Sequence, residues 1–432
     1  MSRETSRRRF LTTTAATGIG YWVAAGAKAR ESKSPNERIA MASIGVEGKG
    51  RSDSEDASKF GDMVAICDVD EKRLNGAGEK RFPKAKRYTD FRRLLEEMGK
   101  SIDAVTVSTP DHTHAPAALM AMRMGKHCFC QKPLTRTIYE SRLMAKVAKE
   151  MNVATQMGNQ GTASSGLRRE AAWLRAGVLG KVSEIHIWTN RPIWPQGIPR
   201  PKPAPCPETL QWDLWLSAAP QRPYAEGYHP FKWRGWWDFG SGALGDMGCH
   251  QINMPFMGLD LRHPLSVEAE TSGHNRDSFP AWSIVTYQFA ATNERPAVKL
   301  VWYDGGKTPH AELLDGQEAG KSGSLVIGDK GKLFNGQLIG VEPVEVEFPE
   351  SPGHFEEWIR AIRGGQPAMS NFPNYAGPLA ETVLLGNLAV WVAASGKDQK
   401  VEWDAKNMRA KNVDGLETLI KPVYRKGYTL DV

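Results

Sequence analysis

The chain is expected to fold as two α/β units in series: a parallel sheet wrapped by helices over residues 37–160, then an α+β domain over residues 161–432 with an open, mainly antiparallel sheet. Three observations predict this. Short β-branched runs alternate with helical patterns from Glu37 to about Asn159, the rhythm of a parallel sheet with crossover helices. Beyond Gly161 the strand-like runs alternate polar and apolar residues and follow one another, as antiparallel strands do. A length of 432 residues also exceeds what one hydrophobic core usually holds.

In the first unit the strands read Ile39–Ile44, Met63–Cys67, Ala104–Ser108, His127–Cys130 and Ala154–Met157, with helices at Glu71–Lys80, Asp90–Met98, Ala115–Met124 and Thr137–Met151. In the second, strands read Lys181–Thr189, Leu265–Ser272, Trp282–Ala290, Ala297–Tyr303 and Leu325–Ile327. Helices read Glu356–Arg363 and Gly377–Ala394, the latter returning toward the first unit. Residues 191–239 form a long irregular segment rich in Pro, Trp and Tyr; a connection of that length in a compact enzyme acts as a lid or binding loop. Its Trp236 and Trp237 are expected to offer flat faces to a carbohydrate ring.

Residues 1–30 stand apart. Ser6-Arg7-Arg8-Arg9-Phe10-Leu11 precedes a weakly apolar stretch, Thr12–Ala27, and Ala27-Lys28-Ala29 supplies a small-x-small cleavage pattern. The stretch is too diluted by Thr and Gly for a spanning helix, which needs about 20 apolar residues. This reads as a twin-arginine signal peptide. It implies folded export by the Tat machinery to a periplasmic or extracellular location, and a protein able to carry out a cofactor acquired in the cytoplasm. The segment holds Arg3, Arg7, Arg8, Arg9, Lys28 and Arg30 against Glu4, so it accounts for most of the net charge of +7. The remainder is near neutral and lacks the dense basic stripe of a nucleic-acid partner. Cys67, Cys128, Cys130, Cys206 and Cys249 are sparse and odd in number, three of them in strand-like runs, with neither disulfide-scaffold nor zinc spacing; no metal is expected.

The chemistry clusters at strand ends. Gly45-Val46-Glu47-Gly48-Lys49-Gly50 follows the first strand as a glycine-rich turn against which a pyrophosphate can lie, although Glu47 occupies a position where the dinucleotide fingerprint wants glycine. Asp68 closes the second strand 18 residues after Gly50, where a carboxylate accepts from both ribose hydroxyls and repels a 2′-phosphate, favouring NAD over NADP. Thr109-Pro110, with His114 soon after, ends the strand opposite. Together these make residues 37–160 a Rossmann dinucleotide-binding domain.

Gln131-Lys132-Pro133, Gly158-Asn159 and Gly245-Asp246-Met247-Gly248-Cys249-His250 then resemble the Gfo/Idh/MocA oxidoreductases, over nearly the whole mature chain. The family motif is Glu-Lys-Pro, so Gln131 departs from it, as does Asn253 where relatives carry an acidic residue. The resemblance implies that Lys132 lies between nicotinamide and substrate, that Gln131 and Asn159 border the cofactor, and that Asp246 and His250 sit over the nicotinamide with His250 as base. It also implies that the open sheet face serves a homo-oligomer, dimer or tetramer. Independently, Asp246 and His250 are four residues apart and share one helical face. Asn253, Trp236 and Trp237 complete the expected substrate site.

The resulting expectation is an exported oxidoreductase with a retained NAD, acting on a secondary hydroxyl of a sugar, glycoside or polyol. Two alternatives stay open: glycoside cleavage through transient oxidation, and a non-catalytic sugar-binding relative.

Overall fold

The computed structural model describes residues 38–396 and 399–430; the expected signal peptide lies outside the described residues. Six parallel strands, β1 (Ile39–Ile44), β2 (Gly61–Cys67), β3 (Lys86–Tyr88), β4 (Ala104–Val107), β5 (His127–Cys130) and β6 (Thr155–Met157), form one sheet in the order β3-β2-β1-β4-β5-β6. Helices cover both faces, so β4 is buried along its whole length and β1 is apolar nearly throughout. The order reverses between β1 and β4, which opens a crevice at their carboxyl ends.

Local chemistry sets the helix starts. Asp70 caps Glu71–Lys80, Asp90 caps Phe91–Met98, and Thr137 with Glu140 forms a capping box on Ile138–Glu150. The helix expected from Ala115 begins at Asp111, directly after Pro110. Two strands or α-helices of this first domain are absent from those expected above. Lys49–Ser58 turns Gly50, Asp53, Ser54 and Ala57 inward, so it has no apolar periodicity to find. The strand β3 is a charged edge of three residues.

The second sheet has nine strands: β7 (Val182–Thr189), β8 (Ser266–Thr271), β9 (Ser283–Phe289), β10 (Val298–Tyr303), β11 (Ser322–Gly328), β12 (Lys332–Phe334), β13 (Gln337–Ile339), β14 (Val401–Asp404) and β15 (Arg409–Ala410). Their order is β13-β12-β11-β7-β10-β9-β8-β14-β15, antiparallel except for the β7/β10 pair. The helix Gly377–Val392 is apolar on every side because it lies between this sheet and the first domain. Tyr287 on β9 donates to the Val383 carbonyl, and Arg142 of the first domain forks onto Glu381 at 2.8 and 2.5 Å. The helix His354–Ile362 also docks back, stacking Phe355 on Phe129 of β5 at 4.4 Å between ring centroids.

The long segment over residues 191–239 is pinned onto the first domain at the end of β2. Gln211 N–H donates to the Val69 carbonyl (2.9 Å), Glu71 N–H to the Thr209 carbonyl (2.8 Å), and His229 Nε2 lies 3.1 Å from Asp70 Oδ2. Its rings pack mostly on one another, with Trp215, Tyr228, Trp236 and Phe239 in a common cluster.

Candidate active site

The crevice at the β1/β4 carboxyl edge, roofed by the aromatic segment, encloses about 1570 Å³ of open space including its mouth. One end is built by the glycine turn. Gly45 has φ +83°, and a Cβ there would stand 2.5 Å from the Ser108 carbonyl oxygen; a Cβ on Gly50 would overlap the Gly45 carbonyl oxygen. Gly48 has φ +62° and precedes Lys49–Ser58, whose first amides receive no side-chain cap. Those open donors at a helix N-terminus suit a pyrophosphate. The glycine displaced from the fingerprint thus reappears one position on, and Glu47 turns aside to pair with Arg81 at 2.6 Å while Arg81 also donates to the Val46 carbonyl.

Asp68 ends β2 at the lip of this crevice. Its Oδ2 accepts from Val46 N–H (3.2 Å) and its Oδ1 from Asp70 N–H (3.0 Å). Burial pushes its carboxyl up to about 6, against the pull of the two amides. Both oxygens keep lone-pair capacity for ribose hydroxyls. Thr109, Pro110 and Gln131 line the same crevice. The glycine cradle, the uncapped helix start and the ribose acceptor together fit a dinucleotide.

At the other end Lys132 Nζ donates to both the carbonyl and the Oδ1 of Asp246, each at 2.8 Å. Arg234 Nε lies 3.5 Å from the same Oδ1. Burial opposes ionisation of Asp246, but Lys132 and Arg234 outweigh it and hold the carboxyl below its ordinary value. His250 follows one turn later on the helix Gly242–Gln251 and lines the crevice. Burial, then Lys132, pushes its imidazole down to about 4, so it stands neutral with a lone pair to offer.

Five of the expected site residues face elsewhere, and a sixth departs in part. His114 is buried with its ring nitrogens 2.9 Å from the Pro133 and Thr109 carbonyls, so it ties two strand-end loops together and does not reach the crevice. Asn159 is buried between Ser370 and Cys249. Asn253 is wholly buried, bonded to Thr162 and Tyr375, and its short amide is committed to the core where an acidic side chain was expected to meet substrate. Trp236 and Trp237 are core staples: their indole N–H groups bond Gly227 and Ser278, and Trp237 stacks on Phe279. Gly50 acts by its missing side chain, beneath the turn.

Other residues of the aromatic segment, together with Asp53, complete the walls. Trp215, Phe231 and Trp233 line the crevice in place of Trp236 and Trp237. Arg234 is stacked over Trp233 at 4.2 Å and Phe231 at 5.1 Å. Asp53, wholly buried, takes hydrogen bonds from Ser108 and Gln131 (both 2.8 Å) and an ion pair from Lys49. Lys49 Nζ also lies 2.9 Å from the end of the Gln160 side-chain amide, which its oxygen occupies once the amide is flipped. An acidic residue four places after Lys49 on the inward face of a helix was the one available signal.

Comparison with known proteins adds to this geometry. Residues 40–159 match the Gfo/Idh/MocA oxidoreductase family, NAD-binding Rossmann fold, and residues 177–430 match the C-terminal alpha/beta domain of that oxidoreductase family. Levoglucosan dehydrogenase of Pseudarthrobacter phenanthrenivorans is 26% identical over 186 residues, 42% of this chain and 38% of the relative. Myo-inositol 2-dehydrogenase of Thermotoga maritima is 29% identical over 157 residues, 35% of this chain and 46% of the relative. The matches span under half the length of these two relatives. Among solved structures, an inositol dehydrogenase homolog complexed with NAD+ from Azotobacter vinelandii has a TM-score of 0.60 at 19% identity, covering 86% of this chain and 99% of that one. Levoglucosan dehydrogenase in complex with NADH and L-sorbose has a TM-score of 0.54 at 17% identity, covering 85% and 99%. These two likenesses establish the shared fold.

Proposed function

This chain belongs to the Gfo/Idh/MocA oxidoreductases, and on that premise we propose that it is an exported enzyme that oxidises a secondary hydroxyl of a sugar, glycoside or polyol with an NAD that it retains. The observation that carries the reading is the convergence of Lys132, Asp246 and His250 at the carboxyl edge of the parallel sheet, in the same crevice as the glycine turn and Asp68. The relatives named for levoglucosan and myo-inositol dehydrogenation support the substrate class.

NAD supplies the hydride acceptor when bound. Lys132 has two of its three N–H groups on Asp246, leaving one to donate to the substrate oxygen. Asp246, held ionised, fixes that ammonium in place. Neutral His250 takes the hydroxyl proton as the carbinol hydride departs. Phe231, Trp233 and Arg234 border the substrate end and suit the C–H face and hydroxyls of a sugar ring.

The hydrogen bonds that pin residues 209–211 and His229 over the end of β2 favour a cofactor that stays in place. The twin-arginine reading of residues 6–11 supplies a reason for it, since export separates the protein from the cytoplasmic NAD pool. A captive NADH must be reoxidised on the protein, and this favours a second reading in which oxidation, elimination of an aglycone and re-reduction close one cycle. The open face of the nine-stranded sheet is our proposed contact for a homo-oligomer.

Denaturing the purified protein and identifying the released nucleotide tests the account; stoichiometric NAD is expected. Absence of nucleotide, with no binding of added NAD, would refute it and fit a sugar-binding relative without catalysis. With levoglucosan, myo-inositol and methyl glucosides as probes, a keto sugar signals net oxidation, and a freed aglycone without net NADH signals the closed cycle.

A further inference from the structure

We propose that the substrate is a sugar acid whose carboxylate is held by Arg234, an inference that rests on the oxidoreductase reading above and narrows it. Arg234 lies on the short turn Lys232–Gly235, just before the anchored pair Trp236 and Trp237, and lines the same crevice as Lys132 and His250. Its side chain is only 23% exposed. Rings surround the guanidinium, whose Cζ is 4.2 Å from the Trp233 centroid, 5.1 Å from that of Phe231 and 5.8 Å from that of Trp194. Aromatic faces hold a guanidinium plane in position without occupying its N–H donors.

Those donors are largely unused. Nη1 donates to the Phe231 carbonyl at 3.3 Å, the one hydrogen bond of this side chain among the described residues, and Nη2 makes none. Asp246 Oδ1 stands 3.5 Å from Nε, too far for a good hydrogen bond, while the same oxygen accepts from Lys132 Nζ at 2.8 Å. One carboxylate thus serves two cations. Through that shared oxygen the Lys132 ammonium and the Arg234 guanidinium stand within the span of one sugar ring. A ring that gives its carbinol oxygen to Lys132 can therefore give a carboxylate to Arg234, whose planar array of donors matches the two oxygens of that group.

Charge points the same way. Lys132 and Arg234 against Asp246 leave one positive charge over, and His250, pushed down to about 4 by burial and then by Lys132, adds no negative charge to offset it. Asp111 is the other acid at this end. Its Oδ2 accepts from Ser241 at 2.7 Å, and burial pushes its carboxyl up to about 7 against Ser241, Arg234 and Lys132, so it offsets the excess only in part. An oxidised nicotinamide adds a further positive charge. A neutral sugar covers this excess without answering it, which is unfavourable for a desolvated cation, whereas a carboxylate on the ring answers it directly.

Matched probes test this: methyl glucuronide against methyl glucoside, and methyl galacturonide against methyl galactoside, each pair differing only at the exocyclic carbon. Initial rates with the NAD-loaded protein count bound NADH and freed methanol together, so net oxidation and the closed cycle are both read. The kcat/KM for the acid of at least one pair is expected to exceed that of its neutral partner roughly ten- to hundredfold. Arg234→Met is expected to bring this ratio near one, whatever it does to the absolute rates, and Arg234→Lys to keep part of it. Calorimetric titration of wild type with the same probes reads the preference as affinity, without any variant. Neutral probes handled as well as their acids overturn the inference and leave the oxidoreductase reading standing, as does a preference that a folded Arg234→Met retains in full. No turnover of these four probes, of levoglucosan or of myo-inositol, while NAD is bound, counts against the oxidoreductase reading and removes this inference with it.

Discussion

Replacing Gln131 with glutamate, the residue expected from the family motif, should damage this protein, because Asp53 has already taken the acidic place. In the structure Gln131 Nε2 donates to Asp53 Oδ2 at 2.8 Å, and Gln131 Oε1 accepts from Lys132 N–H at 3.2 Å. Gln131→Glu turns that donor into a second carboxylate oxygen at the same separation. With an effective dielectric of ~20, the repulsion of two charges so close is about 6 kcal/mol. The pair will take up a proton instead, which against an ordinary glutamate costs about 4 kcal/mol at pH 7. A carboxyl raised in the folded state contributes stability below its unfolded value and loses it as pH climbs. Gln131→Glu should therefore be roughly 3–4 kcal/mol less stable than wild type at pH 7 and within about 1 kcal/mol at pH 5. Adding Asp53→Asn supplies an amide donor and should recover most of the loss. Urea denaturation of the three proteins at both pH values reads this directly. A Gln131→Glu protein as stable as wild type at pH 7, or a loss that Asp53→Asn does not repair, would refute the pairing.

If Asp68 holds the ribose as proposed, it does so as a carboxylate, and with burial pushing its carboxyl up to about 6 before the cofactor arrives, NAD affinity of the stripped protein should be full above pH 7 and fall as pH drops through 6. Asp68→Ala should weaken binding by ~1.5–3 kcal/mol, roughly ten- to hundredfold, and flatten that dependence in calorimetric titrations; an unchanged pH profile would sink the ribose assignment. Gly45→Ala, forced to a positive φ and against the Ser108 carbonyl, should lose at least ~1–2 kcal/mol of stability together with NAD binding. Trp237→Ala should cost about 3–5 kcal/mol of stability while leaving probe binding in the folded fraction unchanged. Phe231→Ala, 43% exposed at the crevice, should do the reverse; equal effects of the two on probe binding would contradict the division between staple and platform.

The parallel sheet was legible because its strands are buried on both faces and so read as apolar runs, and Asp68 because strand length fixes where the second strand ends. Lys132, Asp246 and His250 were found from local patterns, and the structure brings them to one crevice. Direction was harder to read. A Trp or Asn looks the same in sequence whether it faces substrate or core: Trp237 is turned inward by Phe279 and Ser278, and Asn253 by Tyr375, 122 residues away. His114 likewise has its partners across a loop. Asp53 escaped notice for the converse reason, since it stands on a helix without apolar periodicity, and only the fold shows it buried against Gln131.

The central claim is that hydride leaves a secondary carbinol carbon for an NAD held in this crevice, with His250 accepting the hydroxyl proton. Myo-inositol and methyl glucoside carrying deuterium on their ring carbons, mixed with the purified protein, test it through the mass of the cofactor released on denaturation. The account predicts one deuterium in the nicotinamide with wild type, and NAD still bound but unlabelled in His250→Ala. Unlabelled cofactor from wild type with both probes and no aglycone freed from the glucoside, or equal labelling in His250→Ala, would contradict it.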